Sequence, residues 1–353
     1  MNARKRVVVL MLALGAAVLL LAVPTARADL FAQYNFENDT TSMLDDTAGY
    51  PGYDHNMTVK GTQTGLSFDS SDKKVGSKSA VFGGGTSGPY GQFSWQQGET
   101  DDPLYTTSLT VSMWLKADST GGAYMMPISW CGGDSPNPSN VPWNVQISGS
   151  PKSILFINYD KWPTTTLPMD TWVHVGLVHS GNVSTIYIDN LAPVSATTNY
   201  LWPSPSAPAA VKNFLNNLGS IPFDLGNRMD QQYRYKGKMD DVGLWNEALS
   251  TAKMRSLYYV ANSALNYDVK SMDQLFKVYD AKSGSTMIGG LTWYYVPSGI
   301  TSGEGELGLL PGGNYAINFG GGEGVSTIPE PSTLVLVAGG LLGLLCYAWR
   351  RRK

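Results

Sequence analysis

The chain has 353 residues, 42% of them hydrophobic and only 15% charged, well under the roughly 25% usual in soluble domains. Its net charge of −3 conceals basic ends: Arg4, Lys5, Arg6 and Arg27 at the start and Arg350 to Lys353 at the finish. Without these, about 17 basic residues face 28 acidic ones, leaving about −11; such a body repels a phosphate backbone, which excludes nucleic acid as a partner and suits divalent cations better.

Residues 1–28 have the composition of a secretory signal peptide. A basic start is followed by an apolar run from Val7 to Val23 and by Ala26-Arg27-Ala28, a small-x-small cleavage site. From Asp29 onward, apolar clusters of strand length alternate with turn residues. They fall at Leu30 to Asn38, Ser79 to Gly84, Ser108 to Asp118, Ser153 to Asp160, Thr171 to Gly181, Ser184 to Asn190 and Tyr235 to Leu249. In the third, Leu109, Val111, Met113 and Leu115 share a face. No ten-residue amphipathic helix separates these strands, so a parallel α/β sheet is excluded and an antiparallel sandwich is predicted. One short helix is expected from Ser250, as N-cap, to about Ala261, with Met254, Leu257 and Tyr258 on one side. Of the two cysteines, Cys131 and Cys346, the second lies in the apolar tail. The body therefore has no internal disulfide and must stand on its core.

In order, AQYNFEN, DDTAG, GSKSAVFGG, LTVSMWLKAD, TWVHVGLVHSG, STIYIDN and GKMDDVGLWNEALSTAKMRSLY resemble a laminin-G-like domain over residues 31–262. The resemblance implies an all-β, concanavalin A-like jelly roll over residues 29–264. The stretch from Trp202 to Phe223 departs from the pattern and reads as an expanded loop. Beyond it, short apolar pieces parted by glycines predict a small β appendage at 265–319, and residues 320–328 form a Gly-rich linker. The end combines Pro329, Glu330, Pro331, Ser332 and Thr333 with an apolar run over 334–349 and Arg350, Arg351, Arg352 and Lys353. About sixteen residues make a helix of roughly 24 Å, slightly short of a hydrocarbon core of about 30 Å. Tyr347 and Trp349 stand at an interfacial level, and the cations fix that end as cytoplasmic and stop transfer. This order resembles the PEP-CTERM sorting signal. It implies one C-terminal transmembrane helix held only until an exosortase-type enzyme processes the protein for the surface, outer membrane or matrix of a Gram-negative-type bacterium.

The inventory of reactive groups argues against catalysis. There are three histidines, His55, His174 and His179, and the last two face opposite sides of one strand. Neither HExxH nor GxSxG occurs. Related glucanases place a Glu-x-Asp cluster within one strand; here that spacing occurs at Glu37-Asn38-Asp39, at the end of the first apolar cluster, and at Glu99-Thr100-Asp101, outside the clusters, and the other glutamates are scattered or sit in glycine-rich turns such as GEGELG. The laminin-G resemblance implies a Ca²⁺ ion between an early acidic loop and the last strand, which points to Asp45, Asp46, Asp240 and Asp241. Trp143 and Trp162, in Gly/Pro-rich surroundings, are the expected sugar-contacting rings. The sequence thus predicts a non-catalytic exported protein that binds carbohydrate or another extracellular polymer. A jelly-roll hydrolase and a structural matrix component are its rivals.

Overall fold

The computed structural model describes residues 29–61, 66–85, 87–96, 108–130, 143–157, 163–197, 220–228, 233–263, 265–281, 283–295, 307–309 and 315–317. The signal peptide, the linker, the sorting motif and the apolar run at 334–349 lie outside them. Among the described residues no helix is long and apolar enough to cross a membrane.

Two antiparallel sheets form the body. The first runs β14 (Val194–Thr197), β13 (Val183–Ile188), β12 (Val173–Ser180), β7 (Ser108–Ala117), β16 (Lys236–Trp245), β5 (Ser79–Gly83), β4 (Ser67–Asp69). In it, β1 (Leu30–Tyr34) pairs with the second half of β16, while β5 pairs with the first half. The second sheet runs β11 (Thr164–Thr166), β10 (Ser153–Ile157), β9 (Trp143–Ser148), β8 (Tyr124–Trp130), β15 (Ser220–Leu225), β6 (Tyr90–Gln96), β3 (Met57–Lys60), β2 (Met43–Leu44). Alternation sends Val111, Met113 and Leu115 of β7, Val175 and Leu177 of β12, Val145 and Ile147 of β9, and Phe223 and Leu225 of β15 into one core between the sheets. The all-β sandwich expected from the sequence is therefore present.

Three strands of the second sheet, β8, β9 and β15, lie outside the strand clusters read from the sequence. Prolines conceal two of them. Pro127 sits at the irregularity between Met125 and Ile128, and Pro222 lies just outside the β15–β8 pairing, which begins at Phe223. At Pro127 the missing N–H falls where the ladder is already interrupted, whereas Pro222 stands opposite Ser94 in the β15–β6 register and is outside pairing only on the β8 side.

A second core lies on the other face of the first sheet. There α1 (Thr251–Ala261), capped by Ser250 as expected, packs Met254 and Leu257 against Val178, Tyr187 and Trp245. Gly176 of β12 lets the helix approach, because a Cβ there would collide with the end of Met254. The predicted β appendage at 265–319 instead opens with α2 (Val269–Asp280), whose N-cap Asp268 accepts the Ser271 N–H at 2.8 Å. Val269, Met272 and Phe276 recur at helical spacing and join the second core, as do Ile288 of β17 (Ser285–Ile288) and Trp293 of β18 (Leu291–Tyr295). A small sheet, β17-β18-β20-β19, follows, with β19 at Leu307–Leu309 and β20 at Tyr315–Ile317.

Candidate functional site

The face of the second sheet turned away from the core carries a row of polar residues, of which Ser129, Asn144 and Asp224 are buried. Register pairs Thr58 with Gln92, Gln92 with Asp224, Asp224 with Ser129, and Ser129 with Asn144. One residue from each of β3, β6, β15, β8 and β9 thus lines up across the strands. With strands about 4.8 Å apart, Gln92 to Asn144 spans roughly 14 Å. Gln92 Nε2 donates to Asp224 Oδ1 at 2.8 Å, and Asn227 Nδ2 donates to Asp224 Oδ2 at 3.3 Å. Ser129 Oγ donates to the Asn227 carbonyl at 2.9 Å. Asn227 reaches back over the sheet because Gly226 (φ 84°) turns the chain in the left-handed region, with its N–H donating to Pro127 O at 2.7 Å.

Asp224 has no exposed surface. Burial raises its pKa to about 7, against the lowering effect of the Gln92 and Asn227 hydrogen bonds and of the Arg234 charge. Beside it, Arg234 lies over the Tyr90 ring (5.0 Å) and donates to Gly88 O. Among the described residues, two buried acceptors, Asn144 Oδ1 and Asn227 Oδ1, have no donor. At the other end of β8, Tyr124 is 47% exposed and meets Tyr233 edge to face at 5.2 Å. The guanidinium of Arg228 stacks on Tyr233 at 4.1 Å. The sequence pointed to none of these residues. The usable signal was alternation: SIPFDL and WNVQIS put Asp224 and Asn144 opposite the core-facing Phe223, Leu225, Val145 and Ile147.

The aspartates expected to hold calcium do other work. Asp240 and Asp241 stand where the partner of β16 changes from β5 to β1. Asp240 Oδ2 accepts the backbone N–H groups of Lys74 (2.7 Å) and Val75 (3.0 Å). Asp241 accepts the Val269 N–H at 2.9 Å and Gln33 Nε2 at 3.1 Å, stapling α2 to β1. Asp46 Oδ1 takes the N–H groups of Gln33 and Ala48, and its Oδ2 lies 3.4 Å from His55 Nδ1. Asp45 gives its own N–H to Asp39. Gln33 thus links Asp46 with Asp241, while Asp240 turns toward Lys74. Among the described residues Asp240 Oδ1 is buried without a partner, and no three His, Cys, Asp or Glu side chains are grouped to hold a metal ion. Hard cations need six to eight converging oxygens, and this donor set does not supply them.

Trp143 is not a surface ring. It is 4% exposed and wedged edge-on between Phe156 (6.0 Å) and Phe223 (5.7 Å), because its position on β9 faces the core. Trp162 lies outside the described residues. His174 and His179 do face opposite sides of β12: His174 Nε2 meets Ser112 Oγ at 2.9 Å, and His179 Nδ1 meets Ser184 Oγ at 3.0 Å.

Two family models match this chain. Residues 87–254 match the Concanavalin A-like lectin/glucanases superfamily (Laminin_G_3), the class that the two sheets define. Residues 327–353 match the PEP-CTERM protein-sorting motif. The protein therefore carries a laminin-G-like, concanavalin A-like domain and the signal that marks proteins for export and exosortase sorting to the cell envelope. Among solved structures it is similar to domain 4 of AbnA, a GH43 extracellular arabinanase from Geobacillus stearothermophilus, in complex with arabinotriose. The two are 17% identical, with a TM-score of 0.44, over 65% of this chain and 98% of that one. It is also similar to a Trypanosoma rangeli sialidase (15%, TM-score 0.48, 70% and 35%). The binding domain of botulinum neurotoxin DC, solved with rat synaptotagmin II, is a further one (12%, TM-score 0.45, 68% and 55%). The chain thus spans about a third to a half of the last two. No curated protein matches it.

Proposed function

We propose that the body binds an extracellular polysaccharide along the polar row of the second sheet, as a non-catalytic surface or matrix component. The supporting observation is the pair of buried acceptors, Asn144 Oδ1 and Asn227 Oδ1, left without donors beside Asp224. An unmet buried acceptor costs about 1–3 kcal/mol, a cost that a hydroxyl donor brought to it would remove. The row's roughly 14 Å length suits a few sugar rings, and the exposed Tyr124 offers a face for stacking at one end. Binding is favoured over hydrolysis because a glycosidase needs a second carboxylate roughly 5–10 Å away. Burial raises Asp224, the Gln92 and Asn227 hydrogen bonds and the Arg234 charge oppose it, and no carboxylate among the described residues is a cause of its shift.

The experiment is glycan-array binding by the full chain, purified in a non-glycosidic detergent, with Asn144→Ala and Asp224→Asn beside it. Binding that drops in both variants and survives EDTA supports this reading. Polysaccharide cleavage abolished by Asp224→Asn makes the protein a hydrolase, and binding to nothing leaves a structural matrix component.

A further inference from the structure

The folded body begins where the signal peptide is expected to end. Asp29, the residue after Ala26-Arg27-Ala28, is already held: its N–H donates to Asn246 Oδ1 at 3.1 Å, and its carbonyl accepts the Asn246 N–H at 3.3 Å. Leu30, next in the chain, is 4% exposed and pairs with Trp245 at the start of β1. No spacer separates the expected scissile bond from the sheet. Peptidases cut accessible chain, so the Ala28–Asp29 bond is reachable only while this end of β1 stands away from β16.

Cleavage changes what Asp29 brings to the sheet. An amide nitrogen with one N–H becomes an α-ammonium with three and a positive charge. Carboxylates surround it. Lys277 Nζ lies 3.3 Å from Asp29 Oδ1 and 2.8 Å from Asp273 Oδ2, and Trp245 Nε1 donates to Asp273 Oδ1 at 2.9 Å. Glu247, the neighbour of Asn246, lies 3.5 Å from Lys253 Nζ, which meets Asp280 Oδ2 at 2.6 Å. Burial, with the like charge of Asp29, raises the Asp273 pKa against the pull of Lys277 and Trp245; burial, with Asp280 and Asp273, raises Glu247 against that of Lys253. Lys270, also close by on α2, donates to Thr47 O. The network thus sets four carboxylates against three lysines, and an α-ammonium on Asp29 evens it. Asp29 is half-buried and lines a cleft of about 430 Å³ with Tyr50, Asp273 and Lys277, so a charge there keeps contact with water and escapes the full cost of burial.

We propose that removal of residues 1–28 is a maturation step for the fold: the α-ammonium created on Asp29 donates to Asn246 Oδ1, joins the carboxylate network and locks β1 to β16 and α2. A hydrogen bond from a charged donor is roughly twice as strong as one from an amide, so the body gains its full stability only after cleavage.

The test compares two chains in the same non-glycosidic detergent. One is the mature chain, residues 29–353; in the other Gly-Gly-Ala precedes Asp29, which moves the ammonium away and keeps the Asp29 N–H. In urea at pH 6.5 the extended chain is expected to show an unfolding constant about tenfold larger, the worth of a hydrogen bond to a charged group. The contribution of an ionised α-amine is complete below its unfolded pKa of about 7.7–8.0 and is lost as pH rises through the folded value. The two chains should therefore converge by pH 10, whereas a clash made by the added residues would persist there. N-terminal sequencing of the exported protein should read Asp29 first. The proposal is overturned if that protein begins elsewhere, if the two chains unfold alike at pH 6.5, or if the deficit of the extended chain remains at pH 10.

Discussion

Asp224, Asp240 and the two strand histidines pull stability in opposite directions as pH changes. Asp224 and Asp240 both hold their protons to about pH 7, for the same first reason, burial. Their folded pKa lies above the unfolded value near 4, so the native state binds more protons between these limits and loses stability as pH rises from about 4 to 7. Asp224→Asn should flatten that decline, which melting temperatures across pH 4–8 will show. His174 and His179 behave inversely: burial lowers them from 6.5 to about 3 and about 4. Each contributes stability that is full above pH 6.5 and lost as pH falls toward its folded pKa. Replacing His179 by Gln should remove its share of the acid-side loss while keeping a partner for Ser184. Asp241 is different in kind, since its carboxylate satisfies a buried helix N–H and a buried amide. Asp241→Ala should cost about 3 kcal/mol by chemical denaturation, the price of leaving buried donors unmet.

At the scale of elements, α2 decides how much of the chain is one folding unit. Its buried face, with Met272, Leu275 and Phe276, closes the second core over Trp245 and Leu30. Phe276→Ala should therefore destabilise the whole body by about 3–5 kcal/mol in a single unfolding transition. Deleting 265–319 should give insoluble protein; a soluble truncation with an unchanged melting temperature would mean that the appendage is independent. The helix was legible in principle, because Asp268 precedes apolar residues at i, i+3 and i+7. It was obscured by the short β-like pieces that follow.

The whole molecule is an addressed body, and its address can be tested apart from its ligand. Replacing Pro329-Glu330-Pro331 with alanines should leave unprocessed, full-length protein in the membrane, visible as a larger species on a gel. Unchanged size and location would mean that the tail serves only as an anchor.

The sequence by itself determined the C-terminal sorting motif and six strands of the first sheet, β1, β5, β7, β12, β13 and β16. Signal and sorting segments are defined by the order and composition of neighbouring residues, so a linear reading suffices for them. The strands β7, β12, β13 and β16 announce themselves because one face is apolar and local alternation is enough to show it. Only the tertiary structure brought the residues of the proposed site together. Gln92, Asp224, Ser129 and Asn144 come from four strands far apart in the chain, and Pro127 and Pro222 hid two of those strands. It likewise decided that Trp143 is core and that Asp240 and Asp241 hold backbone N–H groups. Strand register and burial fix what a side chain meets, and neither is written in the residues next to it.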